Sequence, residues 1–158
     1  MTTIVSAPGN LIVATIDKVD VRLAGIEVTK APRFVDVPSA TPCIVVYLSA
    51  ARGYETVSHD AEIARTRSYE DLAAEAEEAQ KDGPPKLSNL GRVGVTITDD
   101  LGTQYEPAGF RMVGDGIGWD DMRVCTPAPP SAALTLHLDF TVDSELTGNS
   151  CDVASTAR

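Results

Sequence analysis

The sequence has few of the residues from which catalytic and cofactor sites are usually built. Its 158 residues include two histidines, three cysteines and one tryptophan, and aromatic residues make up 5% of the chain. It contains no C-x-x-C pair, no G-x-S-x-G elbow and no glycine-rich phosphate loop, so zinc binding, nucleophilic catalysis and nucleotide binding all lack a motif. We therefore expect a protein that is not an enzyme and carries no cofactor.

Positive charge and long hydrophobic runs are also scarce. Thirteen Lys and Arg face 23 Asp and Glu, which gives a formal net charge of −10. Phosphates of nucleic acid or of an anionic membrane would repel such a surface. No window approaches the roughly 20 apolar residues that span a bilayer, and the first residues lack a charged start followed by an apolar core. We expect a soluble, cytoplasmic protein that binds neither nucleic acid nor membrane.

The sequence does contain the alternation of apolar and polar residues that is typical of β-strands. Val19, Val21 and Leu23 share one face of a strand, and after Gly25 the apolar phase shifts to Ile26, which predicts a β-bulge or a tight bend. The run 43–48 is apolar on both faces and predicts a central strand.

The C-terminal half continues this pattern. Residues 93–105 predict a β-hairpin with its turn at 99–102 and a left-handed Gly102, and 119–125 predict a short strand. The clearest alternation places five apolar residues on one face of a last strand: Leu134, Leu136, Leu138, Phe140 and Val142. The polar residues 143–158 predict a flexible tail.

These seven or eight short strands predict an all-β, two-sheet sandwich, with a jelly roll or a partly open barrel as the alternative. The length fits a single domain, which we assign to 1–142. Residues 51–92 interrupt the strands as an insertion. Within it, Ser68 as the N-cap and Gly83 after the C-terminus predict an acidic helix over about 68–82.

Part of the C-terminal half resembles a known group of proteins. The run DDLGTQY (Asp99 to Tyr105), Pro107-Ala108-Gly109, Trp119 and TPAPP (Thr126 to Pro130) resemble motifs of uncharacterised bacterial immunoglobulin-like sandwich proteins. The resemblance covers roughly Val93 to Val142. It implies an immunoglobulin-like fold and no particular reaction. The inserted helix and the Asp120-Asp121 pair depart from that group's pattern.

Aspartates in or beside predicted turns are the first candidates for chemistry. They are Asp99, Asp100, Asp115, Asp120 and Asp121. Such carboxylates suit Ca²⁺, and paired carboxylates also serve glycoside hydrolysis. However, the spacing is not that of an EF-hand, and Asp is a common turn residue because it accepts hydrogen bonds from nearby backbone N–H groups. The sequence favours solvated turns, with no assigned metal or catalytic residue.

Histidines and cysteines give further candidates. His137 and Asp139 share the polar face of the predicted last strand and could form a base and its orienting group, whereas His59 lies in the insertion. The cysteines are Cys43, Cys125 and Cys151. Their odd number and irregular spacing favour free thiols over a Cys43–Cys125 bridge.

The sequence thus favours a non-catalytic interaction module. We expect a protein partner to contact either the acidic inserted helix or an exposed sheet edge. The alternative is a module that binds a small ligand or calcium, or less often a hydrolase, at the turns around Asp99 and Asp121. The sequence leaves the oligomeric state and the strand order open.

Overall fold

The computed structural model describes residues 3–5, 11–16, 18–51, 89–114 and 118–154. Nine strands and one short helix lie in these ranges. In chain order they are β1 (Thr3–Val5), β2 (Ile12–Ile16), β3 (Val19–Lys30), β4 (Pro42–Ala51), α1 (Asn89–Arg92), β5 (Val93–Asp99), β6 (Glu106–Gly114), β7 (Gly118–Thr126), β8 (Thr135–Val142) and β9 (Glu145–Ala154).

The strands form two antiparallel sheets, which confirms the prediction of an all-β chain with two sheets. The large sheet has six strands in the order β1-β3-β4-β7-β6, with β2 also paired to β3. The small sheet has the order β5-β8-β9. The predicted bulge is present, because the register of β3 on β4 shifts between Leu23 and Gly25.

The main core lies between the two sheets. Apolar side chains of β2, β3 and β4 meet those of β5, β8 and β9, and Phe140, Leu136 and Leu138 are fully buried there. Burying each such side chain contributes about 1.5–3 kcal/mol. The packing of one sheet on the other is therefore the main source of stability.

Strand β4 is buried on both faces, as its unbroken apolar run predicts. Ile44, Val46 and Leu48 face the main core. Cys43 and Val45 point the other way, into a second cluster with Val35 of the β3–β4 connection. This connection, residues 31–41, therefore covers part of the outer face of the large sheet.

A buried ion pair lies between the sheets. Asp121 and Arg123 alternate along β7 with residues of the second cluster, so both side chains point toward the small sheet. Arg123 Nε donates to Asp121 Oδ2 at 2.6 Å, and a terminal nitrogen of Arg123 donates to the carbonyl of Val93 at 2.6 Å. The guanidinium thus ties β7 of one sheet to the first residue of β5 in the other.

Asp121 is only partly satisfied in this arrangement. It is 1% exposed, and its Oδ1 has no hydrogen-bond partner among the described residues. Burial raises the pKa of Asp121, and the neighbouring guanidinium of Arg123 opposes that rise. The carboxylate therefore depends on Arg123 to remain ionised.

One side of the sandwich is closed by bonds from β9 to β2. The register of β2 on β3 shifts between Ile12 and Ala14. The carbonyl of Val13 accepts hydrogen bonds from Thr147 Oγ1 at 3.1 Å and from Asn149 Nδ2 at 3.2 Å. Side chains of the small sheet thus satisfy a backbone group where the ladder of the large sheet is irregular.

Three predictions for the C-terminal half are wrong. The proposed flexible tail, 143–158, contains strand β9, because Cys151 and Val153 pack into the main core opposite Leu138 and Leu136. The predicted hairpin of 93–105 does not form, since β5 pairs with β8 and the chain then enters the large sheet as β6. Leu134 precedes β8 and is 71% exposed instead of lying in the core.

The predicted acidic helix over 68–82 lies outside the described residues, as does most of the 51–92 insertion. The described part of that insertion consists of Ala51, which ends β4, and the four residues of α1. In the part of the chain that the structure describes, no helix has the length and apolar character to cross a membrane.

The buried pair of Asp121 and Arg123 predicts that two adjacent aspartates contribute very differently to the free energy of unfolding. Replacing Asp121 by alanine leaves the Arg123 guanidinium buried without its carboxylate, and we expect the free energy of unfolding to fall by about 3–5 kcal/mol. Asp120→Ala is the matched control, because Asp120 is exposed on the opposite face of β7. It should change the free energy of unfolding by less than about 0.5 kcal/mol in urea denaturation.

The double variant Asp121→Leu/Arg123→Met separates loss of charge pairing from loss of volume. It removes both charges, so it should cost less than Asp121→Ala alone, although the Val93 carbonyl loses a donor. Equal stability losses for Asp120→Ala and Asp121→Ala would contradict the buried pair.

Candidate functional site

Three connections meet at one end of the sandwich, which we call the loop end. They are residues 31–41 between β3 and β4, 100–105 between β5 and β6, and 127–134 between β7 and β8. In antiparallel sheets these strand ends fall on the same side of the core. Loops on a rigid sandwich are frequent binding sites, which makes this end the candidate site.

Asp99 organises the connection from β5 to β6. Its carboxylate accepts hydrogen bonds from Leu101 N at 2.9 Å, Thr103 N at 3.0 Å and the Tyr105 hydroxyl at 2.8 Å. Gly102 has φ 75°, the left-handed conformation that the sequence predicts for it. The connection therefore turns from one sheet to the other with its N–H groups bound by a side chain.

The pKa of Asp99 reflects these bonds. Burial alone would raise it, but hydrogen bonds from Thr103, Tyr105 and Leu101 outweigh burial and lower the pKa from 3.8 to about 2. The pKa of Tyr105 is raised, first by burial and then by its hydrogen bond to Asp99. The carboxylate is therefore ionised at neutral pH and is an acceptor for the backbone.

Asp100 joins this connection to the next one. Its Oδ1 accepts hydrogen bonds from Leu134 N at 2.9 Å and Thr135 N at 3.3 Å. The two loops thus hold Leu101 and Leu134 at the same end of the sandwich, 52% and 71% exposed. Large aliphatic side chains exposed together on ordered loops are typical of a surface that another molecule covers.

An open groove of about 490 Å³ lies at the same end. Its walls are formed by Thr41 and Pro42 at the start of β4, by Gln104 and Glu106 around the start of β6, and by residues 126–129. The lining combines hydroxyls, one amide and one carboxylate with three prolines. It offers hydrogen-bonding groups on walls that lose little conformational freedom when a ligand binds.

The structure does not bring the candidate aspartates together. Asp99 and Asp100 bind backbone at the loop end, whereas Asp121 lies between the sheets and Asp120 is exposed on the opposite face of β7. Asp115 lies outside the described residues. Over the ranges with described side chains, no three His, Cys, Asp or Glu residues are arranged to hold a metal ion.

His137 lies on the outer face of the small sheet between two carboxylates. Its Nδ1 is 2.5 Å from Asp152 Oδ1, and its Nε2 is 3.2 Å from Asp139 Oδ1. A carboxylate only accepts hydrogen bonds, so both contacts are satisfied only when both ring nitrogens carry a proton. With both nitrogens engaged, this imidazole is arranged as a cation and not as a base. His59 lies outside the described residues.

The three cysteines are buried free thiols, as the sequence favours. Cys43 faces the second cluster, whereas Cys125 and Cys151 face the main core. Cys43 and Cys125 are on neighbouring strands but on opposite faces of the large sheet, so a bridge between them is sterically excluded. Burial raises the pKa of all three thiols, and Glu27 further raises that of Cys43.

The residues that shape the loop end have weak or misleading sequence signals. Leu134 matched the alternation of the last strand, and Leu101 gave no signal inside its turn. Arg123 was also missed, although Asp121, Arg123 and Cys125 alternate with Met122 and Val124 in a pattern that marks two faces.

Comparison of the chain with protein-family models, with curated proteins and with solved structures finds no match. The site is therefore interpreted from its own geometry.

The histidine contacts predict an unusual dependence of stability on pH. The hydrogen bond to Asp152 is the main factor that raises the pKa of His137 above 6.5; the smaller effect of desolvation opposes it, and Asp139 adds to the rise. The unfolded chain loses this proton first, so the stabilising contribution is full below about pH 6.5 and is lost as pH rises through the raised pKa. Stability measured in urea from pH 6 to 9 should show this loss.

His137→Gln should abolish that part of the pH dependence, and Asp152→Asn should bring the pKa of His137 closer to its ordinary value. An NMR titration of the wild-type imidazole measures the pKa directly. A midpoint at or below 6.5 would contradict the proposed pairing.

Proposed function

We propose that the chain is a non-catalytic protein-binding module whose docking surface is the loop end. The observation that carries this proposal is the placement of Leu101 and Leu134, exposed aliphatic residues from two connections that Asp100 joins at the end of the sandwich that also has an open groove. Burying such side chains against a partner removes apolar surface from water and favours association.

Hydrogen bonds within the three connections hold them in a defined conformation, which supports the proposal. Residues 31–41 are closed at their base by Ala31 N to Thr41 O at 2.8 Å, and Ala133 N donates to Pro130 O at 3.0 Å in the third connection. Together with the bonds of Asp99 and Asp100, these contacts fix the surface before a partner arrives. Less conformational entropy is then lost on binding.

The surfaces that the sequence favours receive different support. The acidic helix over 68–82 lies outside the described residues. The sheet edge formed by β6 carries Pro107, which lacks an N–H, and its register shifts between Pro107 and Gly109. Both features discourage the addition of another strand to this edge.

A module that binds calcium or a small ligand at Asp99 and Asp121 receives less support. The carboxylate of Asp99 is engaged by N–H and O–H donors, and that of Asp121 by a guanidinium in the core. Donors that stabilise an anion occupy the positions that a cation would need.

The immunoglobulin-like character and the cellular location remain part of this proposal. The strand order supports an immunoglobulin-like architecture. With β3 to β9 taken in chain order as strands A to G, β3-β4-β7-β6 corresponds to the ABED sheet and β5-β8-β9 to the CFG sheet of an antibody constant domain. The three free thiols support a reducing, cytoplasmic environment.

The proposal predicts peptide or protein ligands whose binding depends on the two leucines. A displayed library of random peptides would be selected on the full-length chain, and the affinities of recovered ligands measured by fluorescence anisotropy. Losing both leucines should weaken binding by about tenfold or more, because the exposed parts of the two side chains together are worth more than about 1.4 kcal/mol when a partner buries them. The test variant is therefore Leu101→Ser/Leu134→Ser.

Leu146→Ser is the matched control. Leu146 is 72% exposed like Leu134, but it lies near the start of β9 at the opposite end of the sandwich. It should leave affinity unchanged. Recovery of no ligand, or of ligands that bind Leu101→Ser/Leu134→Ser as tightly as wild type, would overturn the proposed function.

A further inference from the structure

We propose that the loop end binds an extended segment of a partner protein in which Lys or Arg residues stand among aliphatic residues. This inference rests on the proposed function and names the chemistry of its partner. It depends on the charge of the loop end, on the polar groups of its groove and on the two exposed leucines.

The loop end is acidic where it borders the groove. The stretch 93–110 contains Asp99, Asp100 and Glu106 and neither Lys nor Arg, and the stretch 127–134 is uncharged. At the end of β3 and in the connection 31–41, Lys30 and Arg33 stand against one acid, Asp36, and Lys30 pairs with the groove residue Pro42. With Asp99, Asp100 and Glu106 included, the loop end carries four acids and two bases, so acids remain in excess. Among the described residues that line the groove, Glu106 is charged and none is basic. The potential there favours a cationic group on the ligand.

Glu106 is the residue at the loop end placed to pair with such a cation. Asp99 and Asp100 already accept hydrogen bonds from the backbone, so their charge contributes to the field while their oxygens hold the loops. Glu106 is exposed, begins β6 and opens on the groove. A Lys or Arg of the partner can therefore reach its carboxylate from solvent.

The other groups of the groove suit a peptide backbone. An extended segment has N–H and C=O groups that are not paired within the segment. Thr41 and Thr126 offer hydroxyls and Gln104 offers an amide, each able to donate and to accept. Leu101 and Leu134 lie at the same end and provide apolar contacts for neighbouring side chains of the segment.

The same charge disfavours other occupants. Nucleic acid and anionic membranes carry phosphates, which the carboxylates of this end repel. A second copy of this chain carries a net charge of −10 and presents an equally acidic loop end. Binding of nucleic acid, of an anionic membrane or of a second copy is therefore measured in the experiment below.

The experiment is a peptide selection on three forms of the full-length chain: wild type, Glu106→Lys and Glu145→Lys. Glu145 is the matched control because it is exposed and also begins a strand, but at the opposite end of the sandwich. Wild type and Glu145→Lys should select ligands enriched in Lys and Arg relative to the input library. Glu106→Lys should lose that enrichment.

Binding of the recovered ligands gives a second measure. Glu106→Gln should weaken binding by about two- to fivefold, as expected for one solvent-exposed ion pair, and the difference should shrink as salt is raised from low to high concentration. A circular dichroism spectrum and a urea midpoint equal to those of wild type would show that the variant is folded.

The outcomes separate this inference from the proposed function. Ligands that depend on Leu101 and Leu134 but are neutral or acidic would overturn the inference and leave the binding module intact. Failure to recover any leucine-dependent ligand would overturn both. Binding of DNA or of phosphatidylserine vesicles, or a dimer in sedimentation that Glu106→Lys disrupts, would also overturn the inference.

Discussion

The turn at Asp99 and Asp100 is the constraint on which the candidate surface depends. It carries the chain from the small sheet to the large one, so its backbone N–H groups have no ladder partner. Asp99 binds two of them and the hydroxyl of Tyr105, and Asp100 binds the N–H groups of Leu134 and Thr135, where β8 begins. Residues that are 34 positions apart in sequence thereby form one ordered surface.

The confirmed predictions concern features that neighbouring residues determine, and the failed ones concern contacts between residues that are distant in sequence. Residues a few positions apart determine the alternation within β3, its phase shift near Gly25 and the burial of both faces of β4. The sequence therefore predicts these features. Strand pairing is set by distant residues. The segment 93–105 has the composition of a hairpin, yet β5 pairs with β8. Strand β9 was mistaken for a polar tail because its buried face has only Cys151 and Val153, whose burial depends on Leu136 and Leu138.

The candidate site could be located in part from the sequence, but its chemistry could not. Aspartates in a turn suggest a cation site as readily as a set of backbone acceptors, and only the positions of the surrounding N–H groups decide between them. Asp120 and Asp121 look equivalent in sequence, whereas the two-residue period of β7 exposes one and buries the other beside Arg123. Leu134 fits the apolar alternation of β8, but it lies one residue before that strand begins and is exposed.

The central claim is that carboxylates hold the loop end in one arrangement before any partner binds. Amide hydrogen exchange tests it most directly, because the carboxylates of Asp99 and Asp100 accept hydrogen bonds from four N–H groups at the loop end, which belong to Leu101, Thr103, Leu134 and Thr135. We predict that these amides exchange well below the rate of unstructured backbone in the free protein, and that Asp99→Ala and Asp100→Ala each release their own pair. Exchange at the unstructured rate in the wild-type protein would contradict a preformed surface.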